Sequence, residues 1–196
     1  MKLRIKSFLA GICISIGCIV NLSCDNKYIG AILFAVGLYS ICVCNFNLFT
    51  GKVCYLDNIT DLIRIWIWNY IGSIIMALIC LPMFSLSEKA TVICMNKLSE
   101  MPLEIFFLGI LCNILIYFAV EGYKNKQPIL LIFAVATFIL CGFEHCVANM
   151  FYFSLVTLSH LSIKSIILQM AFIIINTLGN TTGGICMKHM SRLINE

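Results

Sequence analysis

Uncharged apolar runs of membrane-crossing length recur along this chain, and no other property of the sequence restricts its fold as strongly. Residues 7–24, 28–50, 65–87, 105–120, 127–143 and 165–187 contain no Asp, Glu, Lys or Arg. A run of roughly 20 such residues is the length of a transmembrane helix. Hydrophobic residues make up 61% of the chain and charged residues 11%, where a soluble domain is about half apolar and a quarter charged. The chain therefore reads as an all-α integral membrane protein of about six helices, with few residues left for a soluble domain. The basic start before residue 7 followed by an apolar run resembles a signal peptide, but the run is long for one and no small-residue cleavage site follows, so it reads as the first helix.

Glu144 and His145 stand side by side between two uncharged stretches, 127–143 and 146–159. An ionisable pair at membrane depth is costly and usually faces a bundle interior or a water-filled path. Two arrangements fit: a surface loop between two short helices, or one broken helix whose gap holds both residues. A second irregularity lies at Cys44-Asn45-Phe46-Asn47-Leu48-Phe49-Thr50-Gly51, where asparagines and a glycine favour a turn over a helix interior. It reads either as a frayed helix end or as a break that turns backbone toward a cavity. With six spans, each break falls in the middle helix of a three-helix half, and the halves, about 1–99 and 100–196, are then inverted relative to each other. Interruptions at matching positions of two halves point to a translocation site.

The other features are less specific. Residues 88–102 read as the longest polar connection, and Trp66, Trp68 and Tyr70 as an interfacial anchor. Gly11, Ser15 and Gly17 in the first helix, and the stretch from Gly179 to Gly184 in the last, supply small residues for close helix packing. Lys2, Arg4, Lys6, Lys52, Arg64, Lys124, Lys126, Lys188 and Arg192 fall on the side of the termini, against Lys27, Lys89, Lys97 and Lys164 on the other. That bias places both ends in the cytoplasm of a multi-pass plasma-membrane protein. The net charge of +4 is scattered, which excludes a nucleic-acid surface. Of twelve cysteines, only Cys42 and Cys44 form a close pair, with no second pair or nearby histidine to suggest a metal. So many thiols suit a reducing compartment.

These residues together resemble the formate/nitrite transporter family, which includes hydrosulfide channels. The resemblance runs through Leu48-Phe49-Thr50-Gly51, Gly142-Phe143-Glu144-His145, Val147-Ala148-Asn149-Met150, Gly179-Asn180 with Gly183-Gly184, and Leu108-Gly109-Ile110-Leu111-Cys112-Asn113, and so covers essentially the whole chain. It implies an aquaporin-like protomer of three plus three helices, the second and fifth interrupted, with one pore each in a homopentamer. Such proteins pass small monovalent anions or their conjugate acids: formate or nitrite by default, hydrosulfide as the alternative. The central histidine maps onto His145 and the loop threonine onto Thr50. Pore-lining or supporting asparagines map onto Asn113 and Asn149. The apolar constrictions map onto Phe34 and Leu38 on one side and Phe138 with Ile116 on the other, with Leu48 also among them. Two gating elements of some relatives are not expected: an amphipathic helix before residue 7, and a long connection across 157–164.

In this reading His145 supplies either a proton or, as imidazolium, a countercharge, since histidine changes charge near neutral pH. Thr50 orients the anion or bonds to His145. Glu144, Gly142 and Gly51 are structural at the breaks, Glu144 by accepting backbone N–H groups. Proton and lipid are the further partners, and no metal or cofactor is expected. A membrane enzyme is disfavoured because there is no carboxylate pair and no cofactor motif, and His160 and His189 lie near predicted membrane edges. A water or glycerol channel would carry paired Asn-Pro-Ala motifs, and neither break has one. A structural membrane subunit is the third rival, separated by the absence of any flux.

Overall fold

The computed structural model describes residues 1–159 and 163–195. Among these residues the only regular elements are helices: α1 (Lys2–Ser23), α2 (Lys27–Val43), α3 (Phe49–Lys52), α4 (Ile59–Cys80), α5 (Phe84–Leu98), α6 (Pro102–Lys124), α7 (Pro128–Leu140), α8 (Cys146–Ser159) and α9 (Ile163–Asn195). Among the described residues four helices are long and apolar enough to cross a membrane: α1, α4, α6 and the Ser165–Ile194 stretch of α9. Helices α2, α7 and α8 are apolar but shorter. The expected short connection across 157–164 includes residues 160–162, which lie outside the described residues, as does His160.

Two boundaries differ from the sequence expectation for identifiable reasons. Helix α4 begins before residue 65 because Asn58 caps it, its Oδ1 accepting from the N–H groups of Thr60 and Asp61 at 3.0 and 3.3 Å. It stops at Cys80 rather than continuing to residue 87, since Pro82 has no N–H and cannot continue the ladder. The supposed polar connection over 88–102 is for the most part helix α5. Its Leu86, Ser87, Ala90 and Cys94 are buried, one helical face under a polar exterior, and it packs on α8 and α1.

Close helix pairs set the frame: α1 crosses α4, and α6 crosses α9. At the first crossing a Cβ on Gly11 would strike the Asn69 carbonyl, and one on Gly72 the Phe8 carbonyl. At the second, Gly179 lies against the Phe106 carbonyl. The small residues thus permit backbone-to-backbone approach. Helices α2 and α7 pack between the crossed pairs, with α2 on α1 and α7, and α7 on α6.

The two irregular segments, 44–48 and 141–145, repeat each other bond for bond. The chain leaves α2 through Asn45 at φ 51° and α7 through Gly142 at φ 70°. Phe46 N–H returns to Ile41 O at 3.0 Å, and Phe143 N–H to Phe138 O at 2.9 Å. Asn47 N–H reaches Lys6 O of α1, while Glu144 N–H reaches Leu108 O of α6. The next helix in each case starts on a buried carboxamide from across the bundle. Asn69 Oδ1 accepts from Phe49 N–H at 2.8 Å, and its Nδ2 donates to Ser7 O and Asn47 O. Asn180 Oδ1 accepts from Cys146 N–H at 2.9 Å, and its Nδ2 donates to Gly109 O and Glu144 O. Gly51, expected to be structural at the first break, has no positive φ. Asn45 makes the turn, and asparagine tolerates that region better than most side chains.

Asn69→Leu would leave Phe49 N–H and the Ser7 and Asn47 carbonyls unpaired in the interior. At about 1–3 kcal/mol for each buried orphan, the variant is expected to lose roughly 3 kcal/mol or more, read as a lower melting temperature in detergent. Asn180→Leu is expected to behave alike. An unchanged melting temperature in both would show that the breaks close by some other means.

Candidate functional site

His145 is the residue that caps α8, and the cap fixes its chemistry. Its Nδ1 accepts from the N–H of Ala148 at 3.1 Å, the third residue of the helix, as an N-cap side chain does. A nitrogen that accepts carries no proton, so in this arrangement the ring's proton sits on Nε2. Nε2 lies 2.9 Å from Thr50 Oγ1 and donates to it. The ring is 2% exposed and Thr50 is fully buried. Thus α3 from the first break and the start of α8 from the second meet through one hydrogen bond between side chains.

Apolar rings continue the line. Phe138 stacks on the imidazole with centroids 5.8 Å apart and planes 17° from parallel. Phe34 meets Phe138 edge to face at 5.7 Å. Phe34 was expected in one constriction with Leu38 and Phe138 in the other with Ile116; in the structure the two phenylalanines touch each other. Leu38 instead shares with Leu48 the wall of a cavity of about 340 Å³, together with Lys52, Tyr55, Tyr123 and Lys124. Residues 34 and 38 lie one helical turn apart on the same face of α2, which is why the sequence groups them, yet each meets a different partner. Ile116 is buried in the core.

Glu144 is 1% exposed, and it does not accept backbone N–H groups as expected. Its Oε1 receives Lys97 Nζ of α5 at 2.5 Å and its Oε2 receives Asn149 Nδ2 at 2.6 Å. The Lys97 side chain is only 15% exposed. Asn176, with its amide turned as its neighbours require, accepts from Cys146 N–H and Asn149 Nδ2 and donates to Glu144 O. Asn149, expected as a pore-lining or supporting residue, is bonded into this network. Asn113 donates to Cys54 Sγ at 3.5 Å, and its Oδ1 has no protein partner. The buried Lys97–Glu144 pair gives the loop a defined position more than it gives net stability, because desolvating two charges offsets most of their attraction. Glu144 with Asn180 thus holds the backbone from which His145 projects.

Sequence reasoning missed Lys97, Asn69 and Asn176 outright, and it named Asn180 in a close-packing stretch and in a family motif without giving it a role. The signal for the asparagines was present: each is a strongly polar side chain in an uncharged run. Lys97 carried no such signal, since it sat in a segment taken for a connection. Next to it Glu100, in the connection from α5 to α6, has a buried Oε2 without a partner. Burial, then the nearby Glu144 charge, pushes its carboxyl up from 4.5 to about 7. Among the described residues no group of three or more His, Cys, Asp or Glu could hold a metal ion.

The sequence model described as formate/nitrite transporter matches residues 1–193. The formate channel FocA of Haemophilus influenzae is 28% identical over 213 aligned positions, covering 87% of this chain and 75% of that protein. A solved structure described as a pentameric formate channel with formate bound is 27% identical and superposes with a TM-score of 0.82, covering 98% of this chain and 97% of that one. A second, described as an FNT family ion channel, superposes at 0.85 with 22% identity over 99% and 90% of the two chains, which is a likeness of fold.

Lys97→Met strands a buried carboxylate and is expected to cost about 3–5 kcal/mol, whereas adding Glu144→Gln to it should recover much of the loss. Unfolding in detergent measures both, and a double variant no better than the single would overturn the pairing. Glu100 gives a pH signature. The folded chain holds its proton more tightly than the unfolded chain does. The resulting stability is present in full below about pH 4.5 and disappears as pH rises through about 7. Glu100→Gln should therefore raise the melting temperature at pH 8 and leave it nearly unchanged near pH 4.5.

Proposed function

This chain belongs to the formate/nitrite transporter family, and from that premise we propose that it conducts small monovalent anions, formate or nitrite, along a path past His145. The family is one of channels and transporters, not enzymes, and the chain is a multi-pass membrane protein. The observation that carries the proposal is the contact of His145 Nε2 with Thr50 Oγ1, a buried polar pair beneath apolar rings and between two broken helices.

In this reading the single channel domain has six spans: α1, α2 with α3, α4, α6, α7 with α8, and α9. The matched hydrogen bonds of the two breaks support inverted halves of three spans each, about 1–99 and 100–196. The basic bias favours both termini in the cytoplasm, and the plasma membrane is the membrane proposed. Exposed apolar side chains such as Ile32, Ile67, Phe107 and Phe133 suit contact with lipid or with sister protomers. The pentameric relative favours a homopentamer with one path per chain.

An isolated charge in an apolar passage costs many kcal/mol, so the anion crosses Phe34 and Phe138 on one side, and Leu38 and Leu48 on the other, as its conjugate acid or held by donors. His145 is suited to the second task. With Nδ1 spent on the helix cap, the neutral ring offers one N–H, and transferring that proton would leave an imidazolate, which is out of reach near pH 7. The ring therefore works as a fixed donor, Thr50 turns its hydroxyl toward the passing oxygen, and the proton travels with the anion from the aqueous mouth.

Proteoliposome flux of formate, nitrite, hydrosulfide and glycerol across pH 5 to 8 tests this. Anion flux is expected to exceed glycerol flux and to rise as pH falls. His145→Phe should lower anion flux about tenfold, the worth of one charge-assisted hydrogen bond. Unchanged flux and unchanged pH dependence in that variant would remove the histidine from the path. Hydrosulfide outrunning formate would favour the hydrosulfide channels of the family, and no flux at all a structural subunit.

A further inference from the structure

Lys52 is a cation without a counterion. It sits in α3, two residues after Thr50 on that one-turn helix, and is half-buried. Among the described residues no ion pair or hydrogen bond reaches its ammonium group. Its side chain lines the 340 Å³ cavity beside Leu38 and Leu48. The other cation in that wall is compensated: Lys124 Nζ lies 3.0 Å from Glu121 Oε1 and 3.3 Å above the centre of the Tyr55 ring. The same carboxylate oxygen accepts the Tyr55 hydroxyl at 2.6 Å, so Glu121 is committed elsewhere. The charges that Lys52 does feel include those of Lys124 and Lys6, which repel it. A half-desolvated ammonium among like charges is unfavourable, and the cavity leaves space for the anion that would offset it.

We infer that Lys52 is an anion-capture and selectivity residue: it binds a small monovalent anion in this cavity, two residues along α3 from the Thr50 that contacts His145. The inference rests on the proposed anion path. Capture by a point charge raises the local concentration of the anion without taking part in the crossing itself. It therefore acts on half-saturation and on the preference for anions over neutral solutes, and it weakens as salt screens it.

The experiment is concentration-dependent formate and nitrite flux through the whole chain in proteoliposomes, at about 20 and 500 mM ionic strength, with glycerol as the neutral control. Lys52→Gln is expected to raise half-saturation about fivefold at low salt, to leave maximal flux within about twofold, and to converge on the wild type at high salt. Lys52→Arg should retain the wild-type curve, while Lys52→Glu should lose more than Gln does and gain relative glycerol flux. Even if every variant folds poorly, the wild type alone carries the test, because its half-saturation must rise with salt. Wild-type half-saturation independent of salt, or a Lys52→Glu curve superimposed on the wild type, would overturn the assignment. A wild type that passes no anion would instead overturn the path on which it rests.

Discussion

Two buried carboxamides carry the architecture. A helix that stops inside a bundle leaves N–H and C=O groups unsatisfied, and away from water each must find a partner. Asn69 and Asn180 supply partners in identical fashion: the oxygen takes the first N–H of the new helix, and the nitrogen bridges the break to a neighbouring helix. Each is held where glycines let the backbones touch, Gly11 and Gly72 around Asn69, Gly109 and Gly179 around Asn180. Close packing, capping and interruption are therefore one device used twice, and the position of His145 follows from it.

The two uses differ in what they hold. Position by position, Asn47 corresponds to Glu144, Leu48 to His145 and Thr50 to Val147. One break thus contributes an apolar residue and a hydroxyl, the other an ion pair and an imidazole. The two irregular segments come together in the bundle, where the threonine that follows the first meets the imidazole of the second. Neither break alone contains both partners. The second break also recruits α5, whose Lys97 anchors Glu144.

Much of this was legible in the sequence. The uncharged runs marked the helices, and Asn45 to Gly51 and Glu144-His145 marked the breaks, because polar residues in apolar surroundings are costly and need a reason. A bond to His145 was one of two roles read for Thr50, and the two side chains lie in contact. What the sequence hid is what depends on which residues come together in space. Lys97 and Glu144 are far apart in the chain, and α5 disguised a buried face beneath Glu88, Lys89 and Lys97. The pairing of Phe34 with Phe138 needs the approach of α2 to α7, which no periodicity reports. Pro82 was a readable stop that an uncharged run overrode.

The bond from Ala148 N–H to Nδ1 reaches beyond geometry. A ring whose second nitrogen is spent on a helix cap keeps one proton throughout and cannot act as a proton reservoir. On the proposed path, the number of protons moved per anion is then set by the cargo's own acid–base equilibrium in the two aqueous compartments, not by a titrating side chain. Such a protein keeps no ledger of its own. On that path, net movement would run whichever way the combined gradients of acid and anion point, so one molecule would serve for export or for uptake.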